Sequence, residues 1–289
     1  MMTRILAIAS FVLFFGCGTQ NSNSALKGLG ASENGKNIAV LFGSPDWREA
    51  DDDPDSTIHI PAGPGLPGVA TDIREMSKLI SDTRYNFHFA TASNDRARVR
   101  DILQLTGEKV ADADSLLWFF TGHGGSGFMF AEVEGEDDDG SYTFAQVAAA
   151  IKKARGDRPL KRLVVLIDAC HSGVFVNGDQ PIVDQQKWAD EALYQPLMKA
   201  YDQKLYEQAF VMASSLTSET SIDLGEEKGG AFTYSLRTAI SELRTGNPNA
   251  TFKDLANLTT EKTKKIGGHT PVYRAFPVPT VINDFLFIY

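Results

Sequence analysis

The chain has 289 residues, 43% hydrophobic and 22% charged, the proportions of an ordinary globular protein long enough for one large α/β domain or two small ones. Lys plus Arg number 28 against 37 Asp plus Glu, and the resulting net charge of -9 argues against nucleic acid or any other polyanionic partner. A cationic substrate is the better electrostatic match.

At the N-terminus, Arg4 precedes an apolar run over residues 5–15 that ends at Gly16-Cys17. A membrane-spanning helix needs about 20 such residues, so residues 1–16 read as an export signal peptide. Gly16 before Cys17 resembles the processing site of bacterial lipoproteins, whose cysteine receives the lipid. That resemblance implies lipidation at Cys17, export to the bacterial cell envelope, and anchoring at a periplasmic or outer-membrane face. Residues 17–36, rich in Asn, Ser and Gly, then form a flexible tether. Within it, residues 30–36 match most of a phosphate-binding loop, but Asn37 replaces the required Ser or Thr and the motif precedes the strand it should follow. With Cys17 acylated, Cys170 is the one remaining thiol, and a reactive role explains it better than packing does.

Residues 37–43 form a short continuous apolar run, the pattern of a buried parallel strand. A long loop over residues 44–68, carrying the acids Asp51, Asp52, Asp53 and Asp55, leads to helical spacing over 71–84 with Thr71 as N-cap. A second strand is expected over 85–90 and a second helix over 94–105. The third strand, 115–120, ends at Thr121-Gly122-His123-Gly124-Gly125, and a helix over 142–154 leads to the fourth, 162–167, which ends at Asp168-Ala169-Cys170-His171-Ser172-Gly173. A helical insertion near 174–207 precedes a fifth strand at 208–213, helices near 232–243 and 252–266, and closing strands near 271–276 and 281–288. Alternating strands and helices predict a mostly parallel sheet covered on both faces, in one domain over residues 37–289.

Sheets of that kind bind ligands beyond the carboxyl ends of their strands, where His123 and Cys170 both fall. A thiol attacks as the thiolate, and a nearby imidazole raises that fraction and can later protonate a leaving amine. Glycines beside the pair allow close approach of a substrate, so the backbone amides of Gly124 and Cys170 are candidate oxyanion donors. The other histidines offer no competing site: His88 lies in an alternating strand, His59 and His269 in loops without a ligand-spaced partner, and His171 beside the nucleophile takes a supporting role. Ser126 and Ser172 lack the flanking pattern of a serine nucleophile.

Together, Thr121-Gly122-His123-Gly124 and Asp168-Ala169-Cys170-His171-Ser172-Gly173 resemble the two catalytic motifs of the caspase-like peptidases, in particular the metacaspases and their bacterial relatives. Leu66-Pro67-Gly68-Val69-Ala70-Thr71-Asp72 resembles the segment opening the family's first helix, with Thr71 in place of the usual Asn. Ala213-Ser214-Ser215 with Glu219-Thr220, then Gly230-Ala231-Phe232-Thr233, resemble the strand and helix that flank the substrate. The resemblance implies a three-layer α/β fold and a cysteine endopeptidase with His123 as base and Cys170 as nucleophile. It further implies a substrate-binding set of Asp72, Asp168, Ser214 and Ser215, in which the two aspartates bind Arg, and Lys less well, on the amino side of the cleaved bond. A polypeptide substrate and a monomer follow. No cofactor is required; residues 132–139 offer oxygen ligands for calcium but no recognisable loop motif. Two alternatives stand beside this reading: a catalytically silent caspase-like binding module at the cell envelope, and a related transpeptidase or self-processing protein.

Overall fold

Side-chain alternation along the apolar runs builds the architecture. The computed structural model describes residues 37–45, 65–81, 90–94, 97–125, 128–132, 140–172, 204–216, 218–247 and 250–276. In β1 (Asn37–Ser44), Ile38, Val40 and Phe42 enter one core while Ala39 and Leu41 enter another. The same parity runs through β3 (Ser115–Gly122), β6 (Leu160–Asp168) and β7 (Tyr206–Ala213), so the sheet is buried on both faces and its strands are apolar at nearly every position.

Six strands lie in the order β2 (Ala90–Asn94), β1, β3, β6, β7 and β8 (Val272–Phe276), all parallel except the final pairing of β7 with β8. On one face α2 (Val99–Val110) packs with α3 (Phe144–Arg155) over Trp118, Phe120 and Val165. On the other, α1 (Gly68–Ser81), α4 (Ala231–Gly246) and α5 (Phe252–Ile266) cover Leu41, Phe119, Leu166 and Phe210. The three expected layers are all present. A two-stranded antiparallel ribbon of β4 (Met129–Phe130) and β5 (Ser141–Tyr142), too short to read from sequence, leans on the loop after β3.

Several boundaries differ from the sequence expectation. α1 begins at Gly68, so Thr71 lies inside the helix rather than capping it, and its hydroxyl donates to the Glu226 carbonyl. The second strand is β2 (Ala90–Asn94), because pairing with β1 selects it: Ile38 is opposite Ala90 and Phe42 opposite Asn94. As Asn94 is thereby used in the sheet, α2 starts five residues later than expected, at Val99. Residues 85–89 of the expected strand, 174–203 of the insertion expected near 174–207, and the strand at 281–288 lie outside the described residues, while β7 already begins at Tyr206 inside that expected insertion. Among the described residues, no helix is long and apolar enough to cross a membrane.

Candidate active site

Parallel pairing of β3 with β6 ends with Thr121 opposite Asp168, and each chain then runs two residues further to reach His123 and Cys170. Both residues are half-buried at the carboxyl edge of the sheet. Gly124 sets how closely the two loops approach. A β-carbon there would fall 2.8 Å from the Cys170 carbonyl oxygen and 2.8 Å from Ala169 Cβ, so only glycine fits against the Cys170 turn. On its other side, Gly125 N donates to Phe128 O (2.9 Å) and Phe130 N to His123 O (3.1 Å), the pairing around an isolated Gly124–Met129 bridge. In such a bridge the central residue's own amide points away from its partner strand.

The turn bearing Cys170 is held from beneath by hydroxyls. Ser214 Oγ accepts from Ala169 N (3.1 Å) and donates to Ala169 O (2.9 Å), Ser215 Oγ also reaches Ala169 O (3.3 Å), and Ser172 Oγ lies 3.1 Å from Ser214 Oγ. His171 takes a left-handed conformation (φ 56°), and its amide donates to the Glu219 carbonyl (2.9 Å). Ser214 and Ser215, expected to bind substrate, are fully buried with their hydroxyls on the Ala169 backbone. In this structure those side chains anchor the turn that carries Cys170. The Cys170 thiol contacts the Ser221 carbonyl at 3.8 Å. Burial pushes its pKa up, the Asp168 carboxylate adds to the rise, and the Ser221 main chain opposes it.

Asp72 and Asp168 do converge. Asp168 has the strand parity of Leu166 and Val164, which turns it to the α1–α4 face, and Thr121 has that of Phe119. Asp72, in the second turn of α1, accepts from Thr121 Oγ1 (2.8 Å) and Gly230 N (3.0 Å). Asp168 accepts from Ser221 Oγ (2.6 Å), Thr233 N (3.1 Å) and Thr233 Oγ1 (2.7 Å). Carboxylate oxygens of both acids lie within 3.1 Å of the point where a β-carbon on Gly230 would sit. Gly230 is the N-cap of α4, so the amides at the start of that helix point at the pair. The acids are only 1% and 4% exposed, and among the described residues no cation is hydrogen-bonded to either. Burial raises the Asp72 pKa well above the carboxylate range and the Asp168 charge raises it further, against the smaller opposing effects of Thr121, Gly230 and Arg237.

Sequence reasoning passed over Ser221, which touches both Cys170 and Asp168, and over His269, which lies in a loop as expected but is buried there. Thr121 and Thr233 stood inside quoted motifs, but only strand parity and the docking of α4 reveal their carboxylate partners. Cys17, His59, His88 and residues 133–139 of the acidic calcium candidate lie outside the described residues; of that stretch Glu132 is seen, its amide bonded to Ala97 O (2.9 Å). Among the described residues no group of three or more His, Cys, Asp or Glu is arranged to hold a metal ion.

The sequence profile of the caspase domain matches residues 59–277, a span that contains the turns of His123 and Cys170 and both acids. Among solved structures, caspase-1 from Spodoptera frugiperda superposes with a TM-score of 0.52 at 14% identity, covering 83% of this chain and 88% of that one, a likeness of fold. No curated protein matches the sequence significantly.

Proposed function

Because the chain belongs to the caspase-domain family of cysteine peptidases, we propose that it is an endopeptidase that cleaves after Arg, and less readily after Lys, with Cys170 as nucleophile and His123 as base. His123 takes the thiol proton as Sγ attacks the scissile carbonyl carbon. The amide N–H groups of Gly124 and Cys170 receive the developing oxyanion. The C–N bond then breaks, His123 returns the proton to the leaving amine, and the acyl group stays on sulfur as a thioester. Water, deprotonated by His123, attacks the thioester and restores the thiol.

The observation that carries the basic preference is the buried Asp72–Asp168 pair beside the nucleophile, two carboxylates sharing one helix N-terminus. A guanidinium can bridge both acids in a fork, which the point charge of an ammonium does less well. A neutral or acidic side chain would leave the pair without compensation for its burial. Ser214 and Ser215 contribute through the turn they fix and through their backbone, as their hydroxyls are engaged on Ala169. Lipidation at Cys17 would hold the enzyme at the cell envelope, as a monomer, where exported polypeptides are the available substrates. Calcium is dispensable in this scheme, and unchanged activity in a chelator is the expected result. The test is cleavage profiling of a peptide library by the wild-type protein, by Cys170→Ala and by alkylated protein. Cleavage after Arg and Lys only with an intact thiol is expected, and cleavage after Asp, or activity that survives Cys170→Ala, would overturn the assignment.

A further inference from the structure

The segment between Ser221 and Gly230 closes on itself through Leu224 N to Gly229 O (2.9 Å) and is tied to α4 through Ala231 N to Ile222 O (2.8 Å), and it must place Ser221 accurately, since one serine contacts the thiol through its carbonyl and the pocket acid through its hydroxyl. What lies behind it is His269, in the connection from α5 to β8, 2% exposed. Its Nδ1 is 2.7 Å from the Ser214 carbonyl, and its Nε2 is 3.4 Å from the Ile222 amide. A carbonyl only accepts and an amide N–H only donates, so the ring donates from Nδ1 and accepts at Nε2. One imidazole thereby ties the corner that grips Ala169 to the residue after Ser221.

Neighbouring contacts keep the ring in this orientation. Thr270 donates to Glu219 from its amide (2.6 Å) and hydroxyl (3.2 Å), and Glu219 also accepts from Leu216 N (3.2 Å) while its carbonyl takes the His171 amide. Gly267 leaves room for the ring: a β-carbon there would fall 2.8 Å from both Nε2 and Cδ2 of His269 and 2.7 Å from Ala231 Cβ. Neither neighbour has room to yield, because Ala231, the first residue of α4, and His269 are both buried.

We infer that His269 is a positioning residue of the peptidase site, holding Ser221 simultaneously against Cys170 and Asp168 through its bonds to Ser214 and Ile222. This rests on the peptidase reading for its kinetic consequences but not for its spectroscopic or chemical ones. Removal of the ring nitrogens lets Ser221 drift, which costs substrate binding through Asp168 and turnover through the thiol together. His269→Phe, which keeps the ring and loses both nitrogens, is expected to lower kcat/KM for an Arg peptide at least tenfold, with KM raised and kcat reduced. His269→Gln, which keeps an N–H and an oxygen, should recover part of the loss. Gly267→Ala should reproduce the His269→Phe effect without altering any polar group.

Nitrogen-15 NMR of the imidazoles in the wild-type protein should show His269 protonated at Nδ1 and bare at Nε2. A proton on Nε2 would overturn the inference whether or not any variant folds. Should the wild type cleave no basic peptide, the functional reading fails alone, and the iodoacetamide reaction rate of Cys170 decides here. A change of threefold or more in folded His269→Phe supports positioning, and an unchanged rate rejects it.

Discussion

Replacing Asp72 by Asn should make the protein more stable and a worse enzyme, and the two effects come from the same burial. Asp72 is 1% exposed, with its pKa raised by burial and by Asp168. At low pH the carboxyl is protonated folded and unfolded alike, and nothing is lost. As pH rises through the ordinary carboxylate range, the unfolded chain ionises while the folded one still holds its proton, so stability falls until the raised folded pKa is passed. An amide keeps an oxygen for Thr121 and Gly230 and offers Asp168 an N–H in place of a like charge. The expected gain near pH 7 is about 1 kcal/mol, or about 2–4 °C in melting temperature for a domain of this size. Cleavage moves the other way. A charge-assisted bond to the substrate is worth about 1.5–3 kcal/mol, so kcat/KM for an Arg peptide should drop roughly 10- to 150-fold. Melting curves from pH 3 to 8, with kinetics on matched Arg and Gln peptides, measure both. A variant that melts lower at pH 7 and cleaves after Arg as well as wild type would refute the reasoning on both counts.

Cys170→Ala and His123→Ala should each abolish cleavage with the fold kept, as seen by circular dichroism, and the double variant should be no worse than either, since the pair acts as a unit. Gly124→Ala drives a β-carbon onto the Cys170 carbonyl, and a loss of at least about 100-fold in kcat is expected, comparable to removing one oxyanion donor; wild-type kcat would show that the approach is not needed. Because burial and Asp168 push the Cys170 thiol up, its alkylation in the free protein should be slow at neutral pH and accelerate above the ordinary thiol range, and a small guanidinium compound that screens Asp168 should speed it. Equal rates with and without that compound would separate Asp168 from the thiol. Arg155→Leu removes a guanidinium bonded to the carbonyls of Val110 and Ala113 (both 2.6 Å) and of Arg158 and Pro159 (both 2.9 Å), so chemical denaturation should show a loss of about 3 kcal/mol while activity per folded molecule is unchanged.

The sequence by itself carried the local chemistry. A strand buried on both faces must be apolar along its length, so β1, β3, β6 and β7 announce themselves, and a reactive side chain must leave such a strand through a turn, so His123, between two glycines, and Cys170, three residues before Gly173, stand out. β2 was misplaced for the converse reason: Ala-Thr-Ala-Ser-Asn has no pattern of its own and is a strand only because β1 presents an open edge. The acid pair was half legible. Strand parity fixes the face on which Asp168 emerges, but Asp72 reaches it only because α1 and α4 dock on that same face, and the helix N-terminus aimed at both acids belongs to residues 158 positions further along the chain. Ser214 and Ser215 came to the substrate set through their resemblance to a strand that flanks the substrate, and only the closed fold reveals that their hydroxyls are buried on the Ala169 backbone. His269 carried no signal at all. Its significance lies in two backbone groups 47 and 55 residues away, and contacts between a side chain and distant main chain leave no trace in residue type or spacing until the fold has closed around them.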